Sequence, residues 1–176
     1  MSINDTLSRI VFETLESFFT LKLIPEFYLK EGFFSVNSFV FCRILYKDQN
    51  RISGTLTKQK VIDGIQTTLL GAALNFPLYE SLSHREILNS KITFCFADNL
   101  EPVDNIEKIE KDDGIWLKYN NYSAISLPAD RKYDNIDEEL DFLCKKSGIL
   151  SRCWKDKENG KIEKFKLIKY EVRNER

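Results

Sequence analysis

The sequence predicts an α+β fold, in which a mainly antiparallel sheet is flanked by helices. Two β-rich runs are separated only by Asn120-Asn121, a pair that tolerates the positive φ of a two-residue hairpin turn. The stretch after Pro128 carries apolar residues at helical spacing, and a further β-rich run closes the chain. With 176 residues the chain is long enough for one domain, 1–176, with a smaller helical lobe at about residues 58–90.

The totals exclude several classes of protein. Net charge is −1, from 26 basic and 27 acidic residues, which argues against a dedicated nucleic-acid or anionic-membrane surface. The N-terminus lacks a basic region and a cleavage site, and no apolar run approaches the roughly 18 residues of a membrane helix. We therefore expect a cytoplasmic protein without a membrane segment.

The cysteines are spaced as isolated thiols rather than as metal ligands. Four cysteines show no Cys-x-x-Cys spacing, and His84 is the only histidine. A zinc site would need nearly all of these residues to converge from distant segments. The sequence favours four buried or half-buried free thiols in a reducing cytosol, with no bound metal and no cofactor.

The first helix is predicted from an apolar stripe that follows a cap at Asn4 or Asp5. The stripe consists of Leu7, Ile10, Val11, Leu15, Phe18 and Phe19. Residues 21–34 are irregular because Pro25 and Gly32 break them. Their aromatic residues either cover the edge of the core or form an exposed interaction patch; they are Phe27, Tyr28, Phe33 and Phe34.

A hairpin and a second helix follow. Residues 38–46 are apolar on both alternating sets except at Arg43, which predicts a central strand, and 47–50 form a turn into a returning strand at 51–56. Residues 58–73, capped by Thr57, have one helical face that consists of Val61, Ile62, Ile65, Leu69 and Ala72. Alternation at residues 90–96 predicts a half-buried strand.

The second half is predicted from a short helical turn, a hairpin, a helix and a final strand. Val103, Ile106 and Ile109 give the polar connection at 98–113 its helical turn. The hairpin register places Tyr119 opposite Tyr122, Leu117 opposite Ala124 and Trp116 opposite Ile125. Asn135 caps the next helix, whose apolar face consists of Ile136, Leu140, Leu143 and Cys144, and Gly148 closes it. Residues 161–172 form the last strand, with a bulge near Lys166.

Three segments in this half form a motif with a specific order and spacing. Residues 114–115 read Gly-Ile, 127–128 read Leu-Pro, and 143–149 read Leu-Cys-Lys-Lys-Ser-Gly-Ile, with Trp154 shortly after. This order and spacing resemble the AMMECR family, which has a Gly-hydrophobic strand, a Leu-Pro-Gln corner, then Leu-Cys-x-Lys-Ala-Gly-Leu and a Trp. Its bacterial and archaeal members are called AmmeMemoRadiSam system protein A. The resemblance covers roughly residues 38–172.

The polar signatures of the family match less well than its hydrophobic skeleton. Where the family has Leu-Arg-Gly-Cys-Ile-Gly, residues 52–57 read Ile-Ser-Gly-Thr-Leu-Thr. Where it has Asp-Pro-Arg-Phe-Pro-Pro-Leu, residues 73–79 read Ala-Leu-Asn-Phe-Pro-Leu-Tyr, and Ala129 replaces the Gln of the corner. The resemblance implies that these segments share a ligand or interaction surface. Its members here are Ser53, Gly54, Thr55, Asn75, Phe76, Pro77 and Pro128.

Other polar residues receive structural interpretations. In the family motif, a Cys beside an Arg would be a candidate nucleophile, but Ser53 and Thr55 stand at those two places. A hydroxyl becomes a nucleophile only beside a base. His84, the one histidine of the chain, is instead interpreted as part of a charged, solvated helix start. The acids at 137, 138, 139 and 141 lie mostly on the solvated face of their helix, and Asp112-Asp113 is a turn rather than a metal site. An RNA contact remains an alternative for one basic cluster near Trp154, which consists of Lys145, Lys146, Arg152, Lys155 and Lys157.

The resemblance implies two functions. The first is a binding or accessory module of unknown biochemical activity, whose Arg-Gly-Cys motif has degenerated to Ser53-Gly54-Thr55. The alternative is an enzyme or enzyme subunit in a modification pathway. The partners that the resemblance implies are a Memo-type protein and a radical S-adenosylmethionine protein. No catalytic residue is identified by the sequence.

Overall fold

A computed structural model describes residues 2–28, 39–56, 60–74, 80–150 and 152–172. The chain forms two compact units, one of residues 1–96 with 168–176 and the other of residues 97–167. Antiparallel strands flanked by helices confirm the predicted α+β class. The helices within residues 58–90, the segment predicted as a smaller lobe, lie in the first unit. A separate lobe at these residues stays a prediction.

The described residues of the first unit include three helices: α1 (Ile3–Leu21), α2 (Val61–Leu74) and α3 (His84–Leu88). The cap of α1 is Ser2, so the prediction of Asn4 or Asp5 is wrong. Asp5 instead accepts a hydrogen bond from Ser2 N while Ser2 Oγ accepts one from Asp5 N, a reciprocal capping box. Thr57, the predicted cap of α2, lies outside the described residues.

The strands described in the first unit include β1 (Phe39–Tyr46), β2 (Gln49–Leu56) and the start of β3 (Lys91–Pro102). β1 pairs antiparallel with both β2 and β3, which confirms it as a central strand. Tyr46 pairs with Gln49, so the turn is Lys47-Asp48 alone rather than four residues. Lys47 has φ 51°, as a two-residue hairpin turn requires, because that geometry follows the strand twist.

The core of this unit is built from the predicted helix faces and alternate strand residues. Four residues of the α1 stripe and all five of the α2 face are buried, whereas Phe18 and Phe19 are half-buried. Phe27 packs against the core and Tyr28 is exposed; Phe33 and Phe34 lie outside the described residues. The buried strand residues of this core are Val40, Cys42, Ile44, Ile92, Phe94 and Phe96.

The second unit contains the predicted hairpin, β4 (Gly114–Tyr119) with β5 (Tyr122–Ser126), and the start of β6 (Gly160–Glu171). All three predicted cross-strand pairs are confirmed. β6 pairs with the other edge of β4 in an unbroken register from Gly160 to Phe165, and the bulge predicted near Lys166 stays a prediction. A short 3-10 helix at Ile106–Lys108 replaces the predicted helical turn.

Helix α4 (Ile136–Lys146) agrees with its prediction at both ends. Asn135 Oδ1 accepts from the backbone N–H of Asp137 and Glu138, and Gly148 takes φ 80° after the last turn. Its buried face packs on a second core that includes Ile115, Leu117, Ala124 and Ile162. No helix among the described residues is long and apolar enough to cross a membrane.

The prediction of four free thiols is wrong for one pair. Cys144 on α4 and Cys153 in a 3-10 helix (Cys153–Lys155) form a disulfide, with their Cα atoms 5.9 Å apart. The backbone turns after Gly148 and returns Cys153 to the helix, an approach that residue spacing alone does not reveal. Cys42 and Cys95 are buried and form no disulfide, as predicted.

Candidate functional site

The hairpin residues predicted as a site make packing contacts. Ser53 is half-buried on β2, and its Oγ lies so close to Gly71 of α2 that a Cβ at Gly71 would collide with it. Gly54, on the opposite face, lies under the Phe41 ring, where an added Cβ would be 2.5 Å from the nearest ring carbon. Both glycines therefore permit close packing, and Ser53 stabilises the contact between β2 and α2.

The remaining predicted residues are spread over the chain. Thr55 is half-buried and pairs with Val40. Asn75, Phe76 and Pro77 lie outside the described residues. Pro128 belongs to the second unit, where it begins a 3-10 helix at Pro128–Asp130.

Residues that could supply nucleophilic or base chemistry in the first unit are packed for structure. Burial raises the pKa of the Cys42 thiol well above its usual value, and the nearby Cys95 raises it further. A thiol of this kind is a poor nucleophile at neutral pH. His84, at the start of α3, is half-buried and stacks on Phe19 with 5.5 Å between ring centroids.

A buried arginine that the sequence did not single out holds the end of α2. Arg51 is 1% exposed, and its Nη1 donates to Ala73 O at 3.2 Å. Its Nε and Nη2 donate to Gln49 Oε1 at 3.1 and 2.6 Å. The sequence contained one signal for the burial of Arg51: it lies between Gln49 and Ser53 in the set of alternate β2 residues that faces inward.

In the second unit three carboxylates surround one ammonium group. Lys166 Nζ lies 2.7 Å from Glu110 Oε2, 3.0 Å from Asp112 Oδ1 and 2.8 Å from Asp113 Oδ1. Asp113, then Glu110 and Asp112, raise the pKa of Lys166, and Lys166 lowers the pKa of Asp112. The acids lie close enough to ligate one cation, but the lysine already supplies that charge. Residues 111–112 form a turn before β4, and the absence of a metal at Asp112-Asp113 stays a prediction.

The corner after β5 is organised around Glu139, which the sequence placed on the solvated face of α4. That prediction is wrong, because Glu139 is 1% exposed. Its Oε1 accepts from Ser126 Oγ, and its Oε2 accepts from the backbone N–H groups of Lys132 and Tyr133, both at 3.0 Å. Residue 139 comes three positions after Ile136, so the two side chains lie on the same side of the helix. The helical period of the sequence therefore indicated that Glu139 faces the core.

Asp141 is also bound rather than free. Its Oδ1 accepts from Trp154 Nε1 at 2.7 Å and from Arg152 N at 3.0 Å. Together with the Cys144–Cys153 disulfide, these bonds hold the segment after α4 against the helix. Trp154, part of the family resemblance, therefore has a structural partner.

Two surface cavities flank this corner. An open groove of about 610 Å³ runs along α4, and its lining residues are Lys132, Tyr133, Glu138, Asp141, Phe142, Lys145 and Lys146. A second cavity, of about 480 Å³, includes the predicted site residue Pro128, together with Ile109, Lys111, Arg131, Asp134 and Ile136. Both volumes fall in the range of roughly 300–1,000 Å³ typical of ligand sites.

The α4 groove combines cations with aromatic rings. Lys132 Nζ lies 4.8 Å from the centre of the Phe142 ring and 5.4 Å from that of Tyr133. The two rings meet edge to face at 6.0 Å. The exposed Lys145 and Lys146 lie in the last turn of the helix, where they complement its dipole.

Known proteins resemble this chain over most of its length. A family model described as AMMECR1 matches residues 9–170. Protein TV1384 of Thermoplasma volcanium is 28% identical over 158 residues, which cover 82% of this chain and 74% of that protein. Protein Ta0236 of Thermoplasma acidophilum is 34% identical over 113 residues, which cover 58% of this chain but only 53% of that protein.

A solved structure shows the same fold. The crystal structure of the uncharacterized protein PH0010 from Pyrococcus horikoshii matches with a TM-score of 0.78 at 18% identity. The match covers 96% of this chain and 91% of that chain.

Proposed function

Because this chain belongs to the AMMECR1 family, we propose that it is a cytoplasmic accessory module that binds a partner protein through the α4 groove. The partners proposed are the Memo-type protein and the radical S-adenosylmethionine protein that the family resemblance implies. The residues at the degenerate motif support an accessory role, since Ser53 and Gly54 serve packing.

The single observation that carries the proposal is the composition of the α4 groove. It presents three ammonium groups against two carboxylates, and one of the two, Asp141, already accepts two hydrogen bonds. One of the cations, Lys132, lies beside two aromatic rings, and rings and cations together favour an acidic segment that carries apolar side chains. We therefore propose an acidic surface segment of the partner as the occupant.

The groove is held in shape by contacts beneath it. Glu139 fixes the backbone of Lys132 and Tyr133, and Lys146 Nζ donates to Ile125 O at 3.1 Å. A site whose backbone is already fixed loses less conformational freedom on binding. This arrangement suits recognition of a segment rather than catalysis, for which no nucleophile–base pair is present among the lining residues.

The test is titration calorimetry of this chain with each proposed partner from the same organism. We expect Lys132→Glu and Lys145→Glu each to weaken binding about tenfold or more, and added salt to weaken wild-type binding. Lys161→Glu is the matched control, because Lys161 is exposed in the same unit but does not line the groove. No binding to either partner, or equal effects of all three variants, would contradict the proposal.

The enzyme-subunit alternative gives a different result in the same mixtures. Turnover of S-adenosylmethionine that requires this chain, and that survives both groove variants, would favour the alternative.

A further inference from the structure

The cavity beside Pro128 presents an arginine whose donors are only partly used. Arg131 Nη2 donates to Asp113 O at 2.7 Å and to Glu110 O at 2.9 Å. Its Nε is buried without a hydrogen-bond partner, and the Arg131 hydrogen bonds seen among the described residues are those two from Nη2. The two carbonyl bonds fix the guanidinium plane, so the unused edge is already oriented.

The charges around Arg131 balance one another, so a further anion would meet no net positive charge there. Lys166 contacts all three neighbouring carboxylates, and Lys164 Nζ lies 3.7 Å from Asp113 Oδ2. These two lysines compensate two of the three negative charges, and Arg131 helps to compensate the third. An added anion would therefore bind weakly, with a dissociation constant on the order of 1 mM.

The other walls of the cavity are apolar or weakly paired. Ile109 and Ile136 pack against the second core, and Pro128 is half-buried beside them. Lys111 and Asp134 form an ion pair of 3.5 Å with both side chains more than nine-tenths exposed, which leaves it weak and easily displaced. The cavity thus offers a cationic donor next to a small apolar wall.

We propose that this cavity binds a carboxylate that carries a short apolar group. Arg131 would donate to the carboxylate from Nη1, and Ile109, Ile136 and Pro128 would contact the apolar group. The same chemistry is found in a free branched-chain acid and in the C-terminal leucine of another polypeptide. The site does not depend on the α4 groove or its partner.

The experiment is an NMR titration of the full chain, labelled at isoleucine methyl groups and at arginine nitrogen. The first probe is 4-methylpentanoate, and its amide, which has no negative charge, is the matched control. We expect saturable shifts of the Ile109 and Ile136 methyl signals and of the Arg131 Nε signal, at least tenfold weaker with the amide. Equal affinity for acid and amide, or no saturation at ten times the expected dissociation constant, would overturn the proposal.

A second pair of probes distinguishes the two sources. A tetrapeptide that ends in leucine is compared with the same peptide amidated at its C-terminus. Tighter binding of the free-ended peptide than of the small acid identifies a chain terminus as the ligand, and the reverse order identifies a small acid. Arg131→Gln should weaken either ligand at least tenfold, while Lys161→Gln, which is exposed in the same unit and outside the cavity, should change it less than threefold.

Discussion

The most informative perturbation is removal of the Glu139 carboxylate. This side chain is 1% exposed and accepts three hydrogen bonds, one from Ser126 Oγ and two from the backbone of Lys132 and Tyr133. Glu139→Ala deletes the acceptor and leaves those donors without a partner. Glu139→Gln keeps the shape and one oxygen, which can still accept both backbone N–H groups while the new amide donates to the hydroxyl.

The expected losses differ because of this chemistry. A donor left unsatisfied when buried costs about 1–3 kcal/mol, and the two backbone donors are only partly buried, which keeps each near the lower limit. We therefore expect Glu139→Ala to lower the free energy of unfolding by about 3 kcal/mol. Replacing charged by neutral acceptors weakens each bond, so we expect about 1 kcal/mol for Glu139→Gln.

Urea unfolding followed by tryptophan fluorescence measures the loss in the relevant unit. Both tryptophans of the chain, Trp116 and Trp154, belong to the second unit. Glu138→Ala is the matched control, because Glu138 is exposed and its carboxylate accepts no hydrogen bond among the described residues; we expect a loss below about 1 kcal/mol. Amide exchange at Lys132 and Tyr133 should accelerate in Glu139→Ala.

Two results would refute this reasoning. A loss under about 0.5 kcal/mol for Glu139→Ala would mean that solvent reaches the carboxylate. Equal losses for Ala and Gln would mean that side-chain volume, rather than hydrogen bonding, stabilises the corner.

Four further predictions concern the cores, the thiols, metal content and pH. Leu143→Ala should cost about 2–5 kcal/mol in urea melts, and a loss under about 0.5 would mean an exposed side chain. Unfolded without reductant, the chain should show two reactive thiols, Cys42 and Cys95, and four after reduction; four before reduction would contradict the disulfide. Elemental analysis should give no stoichiometric zinc or iron. Tyr119 donates to Asp156 at 2.9 Å, which raises the pKa of Tyr119, while Asn159 and then Tyr119 lower the pKa of Asp156. The contribution of this hydrogen bond to the free energy of unfolding should be complete between pH 3.8 and pH 10.0, the unperturbed pKa values of the two groups. It should decline as pH falls through the lowered pKa of Asp156, and also as pH rises through the raised pKa of Tyr119. The decline should be smaller in Tyr119→Phe.

Local structure could be predicted wherever neighbouring residues determine it. The Asn120-Asn121 turn fixed the pairing of β4 with β5, since a two-residue turn allows one register. The span and caps of α4 followed from Asn135, the apolar period and Gly148. The hydrophobic skeleton also carried the family resemblance, which the family match confirms.

The candidate site could be predicted only in part. Pro128 lines a cavity, but Ser53 and Gly54 pack against neighbours that the overlay could not reveal. Arg131 was missed because the carbonyl groups that orient it belong to Glu110 and Asp113, well before it in the chain.

The sequence by itself determined the elements of this protein, because periods of two and 3.6 residues, turn residues and caps act over a few positions. Only the tertiary structure decided which polar groups are buried and what they bind. Glu139 changed from a solvated acid to a buried acceptor because the segment after β5 returns two backbone donors to it. Cys144 and Cys153 pair across a separation of 9 residues, and Lys166 meets acids that lie 54 and 56 residues before it, because the fold brings these segments together in a way that a sequence pattern does not encode.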